Sequence, residues 1–209
     1  MIDPYDLTKP WDDRRLQEWF LFGICVAGKG ARQTAQKLDR FLRGPFPREF
    51  EMSSMRLPFD IVQQMITFGM LAHELRKYKM GQYRRINKAF RGMVKIDPRT
   101  VTLEELEAIH GVGPKTARML LLYTRPDLKL IPLDTHILHW LRDQGYEAPK
   151  STPCAGPTYR KWELTFISEG EKRGMSPKEW DTYVWTTYAN RRKSIGTSRS
   201  EQQEIKLSL

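Results

Sequence analysis

The stretch LEELEAIHGVGPKTARMLLL, Leu103 to Leu122, decides how this chain is read. Thr102 and Glu105 have the spacing of a capping box ahead of an apolar run, so a helix starts here and reaches about Ile109. The turn His110–Gly113 follows. Gly111 and Gly113 can take positive φ and let another backbone approach closely. Pro114 opens a second helix, to about Tyr123, because proline is favoured at the first helical position. Lys115 is the odd residue. It lies where the exposed N–H groups of a helix add up to about half a positive charge. A residue that breaks a local rule points to a functional site.

The rest of the chain reads as helix on both sides of this turn. Leu16, Trp19, Phe20, Gly23, Ile24 and Ala27 recur at helical spacing after the candidate caps Asp12 and Asp13. Gly28, Lys29 and Gly30 break that helix, and Ala31, Ala35, Leu38 and Phe41 mark the next, ended by Gly44 and Pro45. GPFPREFEMSSMRLP reads as a loop. Ile61, Met65 and Phe68 mark a third helix, and Leu71 to Phe90 reads as two helices broken near Gly81. RPDLKLIPLD is a loop before a helix from Thr135 to Arg142. Tyr159 to about Arg173 is helical, with Trp162 and Phe166 on one face. Ser176 and Glu179 form a second capping box ahead of a helix carrying Trp180, Val184, Trp185 and Tyr188. The tail from Ser194 is polar and expected to fray. No strand or internal repeat stands out, so the expected class is all-α.

The 209 residues carry 35 basic and 25 acidic side chains, a net charge of +10. Apolar residues make up 40%, enough for a real core. No apolar run approaches the roughly 18 residues of a membrane span, and the N-terminus lacks the pattern of a signal peptide. A cytoplasmic, nucleoid-associated protein with no membrane partner is expected. Cys25 and Cys154 stand far apart and make neither a metal box nor a disulfide framework; Cys25 lies on an apolar stretch and reads as core. The basic charge suits a polyanion, nucleic acid above all. The N–H groups of the turn and the helix behind it then make an anion site for a DNA phosphate.

LEELEAIHGVGPKTARMLLL followed by IPLDTHILHWL (Ile131–Leu141) resembles the helix-hairpin-helix DNA glycosylases, the superfamily of endonuclease III and 8-oxoguanine glycosylase. The pattern runs in order through residues 15–145 and is sharp over 103–142. The resemblance implies two helical lobes with the active site in the cleft between them. One lobe would be a bundle of residues 24–124 carrying the hairpin, the other residues 1–23 plus 125–209. It implies that Gly111, Val112, Gly113, Pro114 and Thr116 grip the DNA backbone. Lys115 and Asp134 occupy the places of the catalytic lysine and aspartate of the bifunctional members. Lys29 and Gly30, in the loop AGKGA, fall where the family places a residue wedged into the base stack. A monovalent cation on the backbone carbonyls of Glu107, Ile109 and Val112 is also a family feature. The iron–sulfur cysteines of many relatives are replaced by ANRRKS (Ala189–Ser194), so no cofactor is expected.

The chemistry wants both residues. Base departure leaves positive charge on the sugar, which a fixed carboxylate stabilises, and that carboxylate can take a proton from an attacking amine. Asp134 suits this role and also suits a plain N-cap for the helix at Thr135. An amine attacks only when neutral; the helix N-terminus, with the partial burial expected of Lys115, disfavours the ammonium. Attack at C1′ would give a Schiff base and then β-elimination. Lys115 also suits a plain phosphate contact. The expected partner is duplex DNA with a flipped-out base, bound by a monomer. Arg76, Lys77, Lys79, Arg84, Arg85, Lys88 and Arg91 either flank that DNA or form a solvated face. His110, His136 and His139 lack the partners of a metal site. Trp162, Trp180 and Trp185 have the spacing of core residues and the chemistry to stack on a base. The function expected is a bifunctional DNA glycosylase/AP lyase. The alternatives are a relative that modifies bases without excising them and a non-catalytic DNA-binding module.

Overall fold

A computed structural model of the chain describes residues 2–4, 6, 8–44 and 57–188. Among these residues every regular element is a helix. Residues 45–56, which the sequence marks as a loop, ANRRKS and the tail from Ser194 lie outside the described residues. None of the described helices is long and apolar enough to cross a membrane.

The chain divides into two compact units, Met1–Arg125 and Pro126–Leu209. The first holds α1 (Asp13–Val26), α2 (Ala31–Arg43), α3 (Pro58–Thr67), α4 (Leu71–Lys77), α5 (Tyr83–Met93), α6 (Leu103–Ala108) and α7 (Pro114–Thr124). Asp12 caps α1, its carboxylate accepting the Arg15 N–H at 2.7 Å. From Trp19 to Cys25 every residue of α1 is buried. A helix that is apolar all round belongs in the middle of a core, and α1 packs against α2, α3, α5 and α7. It therefore belongs to the first unit, whereas the sequence reading placed residues 1–23 with the second lobe. Cys25 is a core residue, and burial pushes its thiol up to about 12.

The break between α4 and α5 is a turn in which Lys79, Gly81 and Gln82 all take positive φ (52°, 67° and 44°). The second unit holds α8 (Thr135–Asp143), α9 (Pro157–Glu171) and a further helix, α10, through residues 177–188. Its core is aromatic. Trp180 stacks on Phe166 at 5.5 Å and meets Trp140 edge-on at 5.0 Å. Gly170 makes room for the indole, since a Cβ there would lie 2.8 Å from Trp180.

Candidate nucleic-acid interface

The hairpin is built from local chemistry. The Thr102 hydroxyl accepts the Glu105 N–H at 3.2 Å, and the Glu105 carboxylate accepts the Thr102 N–H at 2.8 Å. Both N-terminal groups of α6 are thereby satisfied, as the capping box requires. Ile109 leaves the helix in an extended conformation. The Val112 N–H then returns to the Ile109 carbonyl at 3.0 Å, closing the turn. Gly111 sits at φ +88°, where a side chain is strained. Ile109 and Val112 are buried and anchor the turn to the core. α7 starts at Pro114 on Gly113, an N-cap that offers no side-chain hydrogen bond. The first N–H groups of this helix have no intrahelical acceptor, and Gly113 is exposed. Arg118 on α7, buried, pairs with Glu107 on α6 and ties the two helices together behind the turn.

α5 backs the hairpin along one face. Arg85, Ala89 and Gly92 lie against it: a Cβ on Gly111 would meet Arg85 Cγ at 2.8 Å and Ala89 Cβ at 3.6 Å. A Cβ on Gly92 would meet Ile109 Cγ2 at 2.7 Å. Arg85 also donates to the Gly111 carbonyl at 2.9 Å and to the Ile24 carbonyl at 2.6 Å. The sequence reading grouped Arg85 with its basic neighbours. Its carbonyl partners carry no residue-type signature, so only the spacing Arg85, Ala89, Gly92 hinted at a packed face.

Lys29 is half-buried, and its ammonium donates to the Met80 carbonyl at 2.5 Å. Burial pushes it below the ordinary lysine value. In this conformation Lys29 braces the α1–α2 turn against the α4–α5 turn instead of projecting as a wedge, while Gly30 is exposed at the N-cap of α2. Gln82 joins the same two turns by donating to the Ala27 carbonyl at 3.2 Å.

Lys115 is the second residue of α7, as its sequence position requires, and Thr116 follows, half-buried. Lys115 itself is exposed. The partial burial expected of it is absent: in the first turn of α7, beside the exposed Gly113, its side chain lies on the outside of the unit. Its place in the first turn of α7 is the one the sequence predicts.

Asp134 is buried, and its Oδ1 accepts from the N–H groups of His136 at 2.8 Å and Ile137 at 2.9 Å. It is thus an N-cap of α8, the role open to it from sequence. The segment leading to it, Ile131 to Leu133, is clamped by α9. Tyr159 Oη accepts the Leu133 N–H at 2.8 Å and donates to the Ile131 carbonyl at 3.0 Å. Glu163, fully buried, accepts the Ile131 N–H at 2.8 Å and pairs with Arg160 at 2.7 Å. Tyr159 and Glu163 escaped the sequence reading. Their signal was a hydroxyl and a carboxylate four apart among the apolar residues of α9.

Of the remaining candidates, Arg76, Lys77, Lys79, Arg84, Lys88 and Arg91 are exposed. His136 lies edge-on to Trp185 at 6.2 Å and His139 to Tyr188 at 5.4 Å, while His110 is exposed. Trp162 and Trp180 are core residues, whereas Trp185 is exposed. Of the three carbonyls expected to hold a monovalent cation, that of Ile109 accepts the Val112 N–H within the turn.

Residues 99–123 match the family model described as the helix-hairpin-helix motif. The match spans α6, the turn and nearly all of α7. The chain thus carries a helix-hairpin-helix motif, and such a motif points to DNA as its partner.

Proposed function

We propose that this protein binds duplex DNA through the hairpin and acts on it as a DNA glycosylase with AP lyase activity, as a monomer, excising a base flipped out of the duplex. The DNA-binding part rests on one observation. The turn at Gly111–Gly113 leads into the N-terminus of α7 with a glycine N-cap that brings no side chain, on a strongly basic protein, which suits a phosphate without reading sequence. The catalytic part rests on the succession of residues in 103–142, which resembles the bifunctional glycosylases, and on the fixed, buried carboxylate of Asp134.

In this reading the neutral Lys115 Nζ attacks C1′ of the target nucleotide. The C1′–N bond breaks, and its electron pair leaves with the base. Asp134 stabilises the positive charge that develops on the sugar and takes a proton from the new C–N centre. Ring opening gives the imine. Loss of a C2′ proton then expels the 3′ phosphate and nicks the strand. The exposure of Lys115 favours a second reading, in which it contacts a phosphate in a non-catalytic module.

Borohydride separates the two. It reduces an imine to a stable amine, so incubation with a panel of lesion-bearing duplexes should trap a covalent adduct. The adduct should vanish in Lys115→Ala. A protein that binds these duplexes, gives no adduct and releases no base is a binding module; one that alters a base without releasing it is a modifying enzyme. Either result overturns the glycosylase–lyase reading.

A further inference from the structure

Arg85 commits three of its donors inside the protein. Nη1 donates to the Gly111 carbonyl at 2.9 Å, Nη2 to the Ile24 carbonyl at 2.6 Å, and Nε to the Gln82 amide oxygen at 2.7 Å. Ile24 lies in the last turn of α1, where carbonyls lack an intrahelical donor. The guanidinium therefore satisfies the end of a core helix and the hairpin backbone together. Its stem fills the space where Gly111 has no side chain, with Cγ 2.8 Å from a notional Cβ. Two further links join the neighbouring turns: Gln82 to the Ala27 carbonyl at 3.2 Å and Lys29 to the Met80 carbonyl at 2.5 Å. The α1–α2 turn, the α4–α5 turn and the hairpin are thus stitched by side chains donating to backbone oxygens.

We infer that Arg85 is a positioning residue for DNA binding: its two-pronged bond to Ile24 and Gly111 fixes the hairpin in the conformation that receives a phosphate. Arg85 is a cation on a basic face, and its obvious role is a phosphate contact. The geometry assigns it instead to the layer beneath. Lysine cannot replace it there, because one ammonium on a flexible stem does not reproduce the planar fork that reaches two carbonyls. The inference rests on the DNA-binding reading.

Two variants and two readouts test it. Arg85→Lys keeps the charge and loses the fork; Arg85→Gln loses both. The first readout is amide hydrogen exchange on the full chain without DNA. The Val112 amide closes the turn onto Ile109, so its exchange should quicken about tenfold or more in both variants, the scale of one or two lost hydrogen bonds. Leu121, in the core of the first unit, reports global stability and should change less. The second readout is affinity for a plain duplex over a range of salt. Both variants should bind about tenfold more weakly. The slope of log affinity against log salt should stay at the wild-type value, since no phosphate contact is removed.

A direct phosphate ligand would behave otherwise: Arg85→Lys would bind like wild type and Arg85→Gln would lower the slope by about one. That outcome, or unchanged Val112 exchange in both variants, overturns the inference. Wild-type protein that fails to bind duplex even at low salt sinks the DNA-binding reading instead, and the exchange data still decide whether Arg85 holds the turn.

Discussion

The Tyr159 hydroxyl stands between a donor and an acceptor of the same segment, taking the Leu133 N–H at 2.8 Å and giving its proton to the Ile131 carbonyl at 3.0 Å. One oxygen thereby satisfies two buried backbone groups in the run that delivers Asp134 to the start of α8. The carboxylate that the proposed chemistry needs is therefore held from α9 as well as by its own helix.

Tyr159→Phe removes that oxygen and leaves the ring. Two hydrogen bonds are lost in a fully buried place, while the Leu133 N–H and the Ile131 carbonyl keep their bond to each other at 3.0 Å; at about 0.5–1.5 kcal/mol for each lost bond, the pair costs about 2 kcal/mol. Thermal unfolding should fall by about 6 °C, at about 2–4 °C per kcal/mol for a chain of this size. Base release should fall with it, because the segment before Asp134 loosens. An unfolding midpoint within about 1 °C of wild type would show that the clamp contributes little.

Gly111→Ala places a methyl where φ is +88° and Arg85 Cγ stands 2.8 Å away. The backbone strain alone costs of order 1–2 kcal/mol, and the contact adds to it. Duplex affinity should drop at least tenfold in a protein that still folds, measured by fluorescence anisotropy with a labelled duplex. Gly113→Ala is the control for stability. Its φ is −90° and nothing lies within 4 Å of its notional Cβ, so the fold should tolerate it.

These cases separate what the sequence revealed from what it could not. Thr102, Glu105, Pro114, Ser176 and Asp134 act on groups within a few residues of themselves. The hairpin and the helix starts were legible for that reason. Arg85, Tyr159 and Glu163 act on backbone oxygens and N–H groups that lie 26 to 61 residues away in the chain. Every residue owns such groups, so no residue pattern announces them. The placement of α1 was half legible. Its unbroken apolar run marked it as a core helix, but periodicity does not say which core. The exposure of Lys115 depends on what packs around the hairpin, and a helix-start pattern holds nothing about that.

Glu169 makes the stability of the second unit depend on pH. Lys172 donates to it at 2.6 Å, Arg173 at 2.7 Å and Tyr146 at 2.9 Å. Bonds from Lys172 and then Arg173 hold its carboxyl at about 2, below the ordinary 4.5. A lowered folded-state value means that the unfolded chain binds the proton first. The stabilisation is therefore complete above about pH 4.5 and fades as the pH falls toward 2. Glu169→Gln should lower the unfolding midpoint by about 4 °C at pH 6. The gap to wild type should close as the pH is taken down through 3. A gap independent of pH would assign the effect to packing instead of charge.

Asp134 has two roles to separate, the cap it makes and the chemistry proposed for it. Asparagine caps a helix about as well as aspartate, whereas alanine costs about 1 kcal/mol. Asp134→Asn should therefore unfold within about 1 °C of wild type, and Asp134→Ala about 3 °C lower. The proposed chemistry needs a charge and a proton acceptor, which the amide lacks. Base release on the lesion duplex that wild type processes should fall about 100-fold or more in both variants, with duplex affinity retained. Full activity in the stable Asp134→Asn protein would reduce Asp134 to a cap. Activity that fell only in Asp134→Ala, in step with its stability, would say the same. Loss of base release in Asp134→Asn without loss of stability is the result that assigns the carboxylate to the reaction.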